Sequence, residues 1–261
     1  MRRPAGPALV LLLPLLLGAD ACTNLIVTPG ASADGSTIYA YTADSAALYG
    51  TLDRLPAQSN NPPGTKKPIY DWDSGLYLGE IDEAAETYDV VGNMNEHQLV
   101  IGETTFGGLE ALCQGQPGAR MDYGNLIWTT LQRAKTVPEA ITVMAALVGT
   151  YLPWPTPAAS TELPSFGSDR DSRVADTYGY ASEGESFTLT DPREAWVLEM
   201  IGKGPSKQGA VWMAVKIPGN GPLSSSFSSS SSRPGLSNVG ARGKRLALRN
   251  PWCDRGALPL C

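Results

Sequence analysis

Cys22-Thr23-Asn24-Leu25-Ile26-Val27-Thr28, then Pro29-Gly30-Ala31-Ser32-Ala33-Asp34-Gly35, then Ser36-Thr37-Ile38-Tyr39-Ala40-Tyr41-Thr42 is the stretch on which the fold reading turns. The first part is apolar and β-branched, the second is turn chemistry, and the third is a second strand. A hairpin therefore begins at a cysteine. Upstream stand Arg2 and Arg3, an apolar run from Ala8 to Leu17, and Ala19-Asp20-Ala21, the pattern of a secretory leader cut after Ala21. Cleavage there would make Cys22 the first residue. A thiol of pKa about 8.5 would then share one residue with an α-amine of pKa about 8. That amine can accept the thiol proton directly or through one water, so no histidine is needed. The ladder of the hairpin would hold such a nucleophile rigidly. Position alone also fits a structural thiol or a lipid-modified one, although Asp20 and the lack of a leucine at position 19 suit lipid attachment poorly.

The composition is that of a globular chain. At 261 residues and 42% apolar it can bury one sizeable core. No apolar run after the leader approaches the roughly 20 residues of a membrane span, so no span is expected. The net charge of −6 is uneven: from Gly219 onward there are six basic residues and one acidic, which leaves 14 basic against 25 acidic before it, a net of −11. Such a body is a poor partner for nucleic acid or anionic lipid. A single histidine and no closely spaced cysteine pair exclude the usual metal-ligand patterns, and no cofactor is implied. Reserving Cys22 leaves Cys113, Cys253 and Cys261, an odd set without a convincing disulfide framework.

Along the middle of the chain the order is strand, strand, helix, helix, strand, strand. Tyr88 to Val91 and Gln98 to Thr104 flank Gly92-Asn93-Met94-Asn95, a hairpin signal. His97, in that turn beside Glu96, reads as a solvated or hydrogen-bonded structural residue rather than a partner of Cys22. Leu126, Ile127 and Leu131 share a helical face, and Thr136 with Glu139 predicts a capping box with Pro138 in the first turn. Ser186–Thr190, Ala195–Ile201 and Ala210–Ile217 read as strands, with Gly202-Lys203-Gly204-Pro205 as a turn. Helices beside sheets laid on one another give an α+β class.

Several blocks together resemble peptidase family C69, the dipeptidase branch of the N-terminal-nucleophile hydrolases. They are Cys22-Thr23-Asn24, Gly30 to Ser36, Thr42-Ala43-Asp44, Gly92 to Leu99, Ile101 to Gly108, Asp122-Tyr123-Gly124-Asn125-Leu126, Leu131 to Thr136, Tyr178 to Phe187, Asp191 to Trp196 and Glu199 to Gly204. The resemblance implies an αββα N-terminal-nucleophile sandwich, incomplete at its C-terminal half, and a secreted or acidic-lumen cysteine-type dipeptidase acting on a small peptide substrate. It implies Cys22 as nucleophile and Asp44 as the carboxylate fixing its amine. Asp44 as a strand-end turn former is the plain alternative. For the oxyanion, Asn95 and the Thr104 region are candidates, although turn asparagines are common for conformational reasons. Tyr41 stands where many bacterial relatives carry an arginine.

The expected organisation is a leader over 1–21, a partial hydrolase domain over 22–218 and a Ser-rich, basic tail over 219–261. Four prolines between 152 and 177 mark a disordered insertion. Eight serines between Ser224 and Ser232 open a tail expected to carry no stable structure. Two other functions remain open at this point: hydrolysis of a non-peptide amide, as in the related bile acid and penicillin V acylases, and an inactive secreted homologue shortened at its C-terminus.

Overall fold

The computed structural model describes residues 21–44, 50–106, 109, 111–112, 114–149, 178–219 and 226–230. Residues 1–20 of the expected leader, the proline-rich insertion, most of the tail, and Cys113, Cys253 and Cys261 lie outside them.

The described residues form an α+β structure. Its elements are β1 (Ala21–Val27), β2 (Ile38–Asp44), β3 (Arg54–Leu55), β4 (Lys66–Tyr70), β5 (Tyr77–Asp82), β6 (Val90–Val91), β7 (Met94–Asn95), β8 (Val100–Phe106), α1 (Tyr123–Leu131), α2 (Val137–Val148), β9 (Gly184–Thr190), β10 (Ala195–Gly202), β11 (Ala210–Ile217) and β12 (Ser226–Ser230). A seven-stranded sheet runs β11-β10-β9-β8-β7-β6-β3, a three-stranded sheet runs β12-β1-β2, and β4 pairs with β5 alone. Every named pairing is antiparallel.

Alternation along β10 shows how the layers stack. Leu198 and Met200 point to one face and join Leu126, Leu131, Ile141, Met144 and Val148 of the two helices in the main core. Ala195 and Val197 point the other way and meet Ile26 of β1 and Tyr39 of β2 in a smaller cluster. Period-two geometry thus seats the helices on one face of the large sheet and the three-stranded sheet on the other. The far face of the small sheet carries Leu25 and Ile38 at 44% and 53% exposure, and no described helix lies on it.

The helices follow their local signals. Asp122 caps α1 by accepting from the Asn125 N–H at 2.7 Å, and Thr136 caps α2 by accepting from the Glu139 N–H. The capping box is displaced by one residue, because the Glu139 carboxylate accepts from the Lys135 N–H at 2.8 Å rather than from that of Thr136. Gly149 closes α2 at φ 86°, a left-handed conformation that favours glycine.

Two expectations change. The hairpin read across Gly92 to Asn95 is two successive turns: β6 doubles back onto β7 through Gly92 and Asn93, and β7 meets β8 at Met94 and Val100. The serine run is also not without structure, since Ser226–Ser230 pairs with β1 from Thr23↔Ser230 to Val27↔Ser226. A composition argument counts apolar side chains, whereas a ladder is made of backbone groups, and β1 offers an open edge for them.

Candidate active site

Cys22 is the second residue of β1, opposite Ala43, and its thiol is half-buried. The strand period places Cys22, Asn24 and Ile26 on one face, and the cross-strand partners Ala43, Tyr41 and Tyr39 share it. This is the face turned toward the large sheet. Asn24, buried, fixes the distance between the layers: its Nδ2 donates to the Glu103 carbonyl at 2.8 Å and to Thr104 Oγ1 at 2.6 Å. Its Oδ1 accepts from the Tyr39 hydroxyl. Opposite stands Gly102, where a Cβ would lie 1.6 Å from Tyr39 Oη and 2.7 Å from Asn24 Oδ1. Only a residue without a side chain lets these two groups reach β8.

On the opposite face of β8 and β9, turned with Ile101 and Phe187 toward the helices, lies a pair of buried carboxyl groups. In the β8/β9 register Thr105 faces Glu185 and Glu103 faces Phe187, so the two glutamates emerge on one face as diagonal neighbours. They are 2% and 1% exposed and within hydrogen-bonding reach of each other. Glu103 accepts from Tyr41 Oη at 3.1 Å and from Thr105 Oγ1 at 2.9 Å. Among the described residues no ion pair reaches either carboxyl. Burial, and then the charge of Glu103, pushes the Glu185 carboxyl well above its usual range, so Glu185 is the member that keeps a proton. The Tyr39 and Tyr41 hydroxyls are pushed up by burial and then by the charges of Glu103 and Cys22. Tyr123, at the start of α1, feels both glutamates and donates to Asp73 Oδ1 at 2.6 Å.

The other candidates fall in different places. The backbone of Asp44 ends β2 opposite Ala21, one register step beyond Cys22, and its side chain is outside the described residues. Asn95 sits on β7 with its amide fully committed: Nδ2 donates to the carbonyls of Leu131 and Ala134 at 2.8 and 2.7 Å, and Oδ1 accepts from the N–H groups of His97 and Leu99. It ties the end of α1 to the β7–β8 turn and makes no hydrogen bond to Cys22 or its strand. His97 packs edge-on against Tyr88, with ring centres 4.5 Å apart. Thr104 lies at the clamp, where its Oγ1 accepts from Asn24. Asn24, Gly102, Glu103 and Glu185 were not singled out from the sequence. The one available signal was an acidic residue in each of two apolar strands, Val100–Phe106 and Gly184–Thr190. Among the described residues no cluster of His, Cys, Asp or Glu is suited to a metal ion.

Chemically, the described residues set a half-buried thiol two residues from a rigid amide clamp and, on the far side of β8, a carboxyl pair that holds a proton and is bordered by phenols. A family model described as "Peptidase family C69" matches residues 167–226, which hold β9, β10 and β11 and therefore Glu185, but not Cys22. It is the same family that the blocks around Cys22, Asp122 and Asp191 resemble. Residues 167–226 are thus similar to the corresponding part of peptidase family C69.

Proposed function

We propose that this chain is a cysteine-type dipeptidase whose nucleophile is Cys22, exposed when the leader is cut after Ala21 and the chain is secreted or delivered to an acidic lumen. The observation that carries the reading is the seat of Cys22 at the head of β1, on the inner face, two residues from the Asn24 clamp to Thr104. Strand pairing and the Asn24 clamp hold the backbone that carries the thiol. The stacking of helices, large sheet and small sheet is compatible with three layers of an αββα sandwich and supports the same reading.

In the reaction the α-amine of Cys22 takes the thiol proton and the thiolate attacks the peptide carbonyl carbon. The tetrahedral intermediate collapses as the amine returns the proton to the leaving nitrogen, and the first product departs as a free amine. Water, deprotonated by the same α-amine, then attacks the thioester and releases the acid and the thiol. The oxyanion formed in each step needs donors about 3 Å away. With its amide hydrogens already given to Leu131 and Ala134, Asn95 is not assigned that role.

Intact mass and N-terminal sequencing of the secreted product should show a chain starting at Cys22. Cys22→Ala should abolish dipeptide hydrolysis, and Cys22→Ser should retain a small remainder because an alkoxide is harder to generate than a thiolate. A mature chain starting elsewhere, or equal turnover by wild type and Cys22→Ala, would remove the reading.

A further inference from the structure

Two buried carboxyl groups within hydrogen-bonding reach of each other, with no cation against them among the described residues, do not both carry charge. One proton belongs to the Glu103–Glu185 pair. With it on Glu185, the Glu103 carboxylate accepts from the Glu185 carboxyl, from Thr105 Oγ1 at 2.9 Å and from Tyr41 Oη at 3.1 Å. Without it, two charges share a place from which water is excluded, and Glu185 Oε2 has no donor. The other ionisable groups felt here are Glu183, Asp122, Tyr123, Tyr180 and Tyr39, all acids or phenols, so none offers a positive charge.

Tyr41 extends the reach of this proton to another layer. Its side chain starts from the inner face of β2, yet its hydroxyl meets Glu103 on the helix-facing side of β8, so the contact crosses the plane of the large sheet. The outer edge of β8 leaves room for the crossing, since β7 pairs with β8 at Val100 alone. Tyr41 is also the partner least firmly held. β8 and β9 stay in register from Val100↔Thr190 to Phe106↔Gly184, and α1 is anchored in the main core by Leu126, Ile127 and Leu131. Tyr41 is half-buried and meets the pair through a single hydroxyl.

We propose that the Glu103–Glu185 pair is a proton-dependent latch on the cysteine-bearing hairpin. While the proton is shared, Tyr41 stays docked; when the proton is lost, water reaches the two carboxylates at the point where Tyr41 and β2 come away. Asn24 keeps β1 clamped, so the release is confined to β2. Tyr41, opposite Asn24, is the diagonal neighbour of Cys22, and its departure uncovers the flank of the thiol. Burial and then Glu103 raise the Glu185 carboxyl above 4.5, so the latch is shut below that value and opens as pH climbs through the raised one. The latch stands whether or not the thiol hydrolyses peptides.

The test is hydrogen exchange of the purified full chain over a pH series rising from 4.5, with rates corrected for the intrinsic effect of pH. Protection of Ile38–Asp44 should fall by about tenfold or more in the wild type, while that of Gly184–Thr190 holds. In Glu185→Gln, whose amide donates to Glu103 at every pH, protection of Ile38–Asp44 should not change. Constant protection in the wild type, an equal fall in Glu185→Gln, or a fall shared by Gly184–Thr190 would overturn the latch. Should Glu185→Gln not fold, Tyr41→Phe keeps the ring and removes the link. It should show at the acidic end the low protection that the wild type reaches only at the alkaline end, and wild-type protection there also overturns the proposal.

Discussion

Asn24 and Thr104 join the two sheets directly: Nδ2 of the first donates to Oγ1 of the second at 2.6 Å, between strands 80 residues apart in sequence. The same amide takes the Glu103 carbonyl and the Tyr39 hydroxyl, so one side chain sets the separation of the layers where Cys22 stands. Asn24→Ala should destabilise the fold by about 1–3 kcal/mol, since it strands buried polar partners. The Cys22 thiol should at the same time become more reactive toward an alkylating reagent, because its strand loses the clamp. Unchanged denaturation midpoints with unchanged thiol kinetics would refute the clamp.

Gly102 tests the same contact from the other side. Gly102→Ala places a methyl 1.6 Å from Tyr39 Oη and 2.8 Å from Tyr39 Cζ, so the ring must leave its position. Overpacking of this kind costs about 1–3 kcal/mol. Combined with Tyr39→Leu, which vacates the space, the alanine should cost clearly less than it does alone, a coupling that a double-mutant cycle reads. Additive effects would show that the two residues do not share the site.

For Asn95 the expected result is structural. Asn95→Ala removes four hydrogen bonds at the junction of α1 and the β7–β8 turn, and should lower stability by about 2–3 kcal/mol. Turnover per folded molecule should stay near that of the wild type, as read by kcat corrected for the folded fraction. A loss of kcat of a hundredfold or more, on the order of a lost oxyanion donor, would return Asn95 to the catalytic group.

Glu185 predicts the direction of a pH dependence. Burial and Glu103 raise its carboxyl above the 4.5 of an ordinary glutamate, so the folded chain holds a proton that the unfolded chain releases. Its stabilising contribution is fully present below that ordinary value and is lost as pH rises through the raised one. As pH rises above 4.5, the melting midpoint of the wild type should therefore fall relative to that of Glu185→Gln, whose side chain stays neutral. Parallel curves would mean that Glu185 does not carry the proton.

Local signals accounted for much of the fold. Asp122 and Thr136 cap their helices through their own side chains and N–H groups three residues on, and Ala210–Ile217 is a strand with the bounds read from its pattern. Such features depend on neighbours in sequence, so the sequence displays them. The cysteine-headed hairpin was legible for the same reason, as was the likeness to the family whose model matches residues 167–226.

What only the tertiary structure decided are relations across long separations. Nothing local distinguishes Glu103 or Glu185 from an exposed strand acid; the β8/β9 register and the burial of both faces make them a pair. Asn24 reads as an ordinary strand residue until β8 is brought against it, and Gly102 as a weak strand position until the Tyr39 hydroxyl occupies the space of its missing side chain. Asn95 is the converse, a turn asparagine whose site-like appearance ends once the Leu131 and Ala134 carbonyls take its donors. Even the Ser226–Ser230 ladder required the edge of β1 to be present. Periodicity and capping are properties of adjacent residues, whereas desolvation and hydrogen-bond satisfaction depend on which distant groups exclude water, and that is settled only when the layers close.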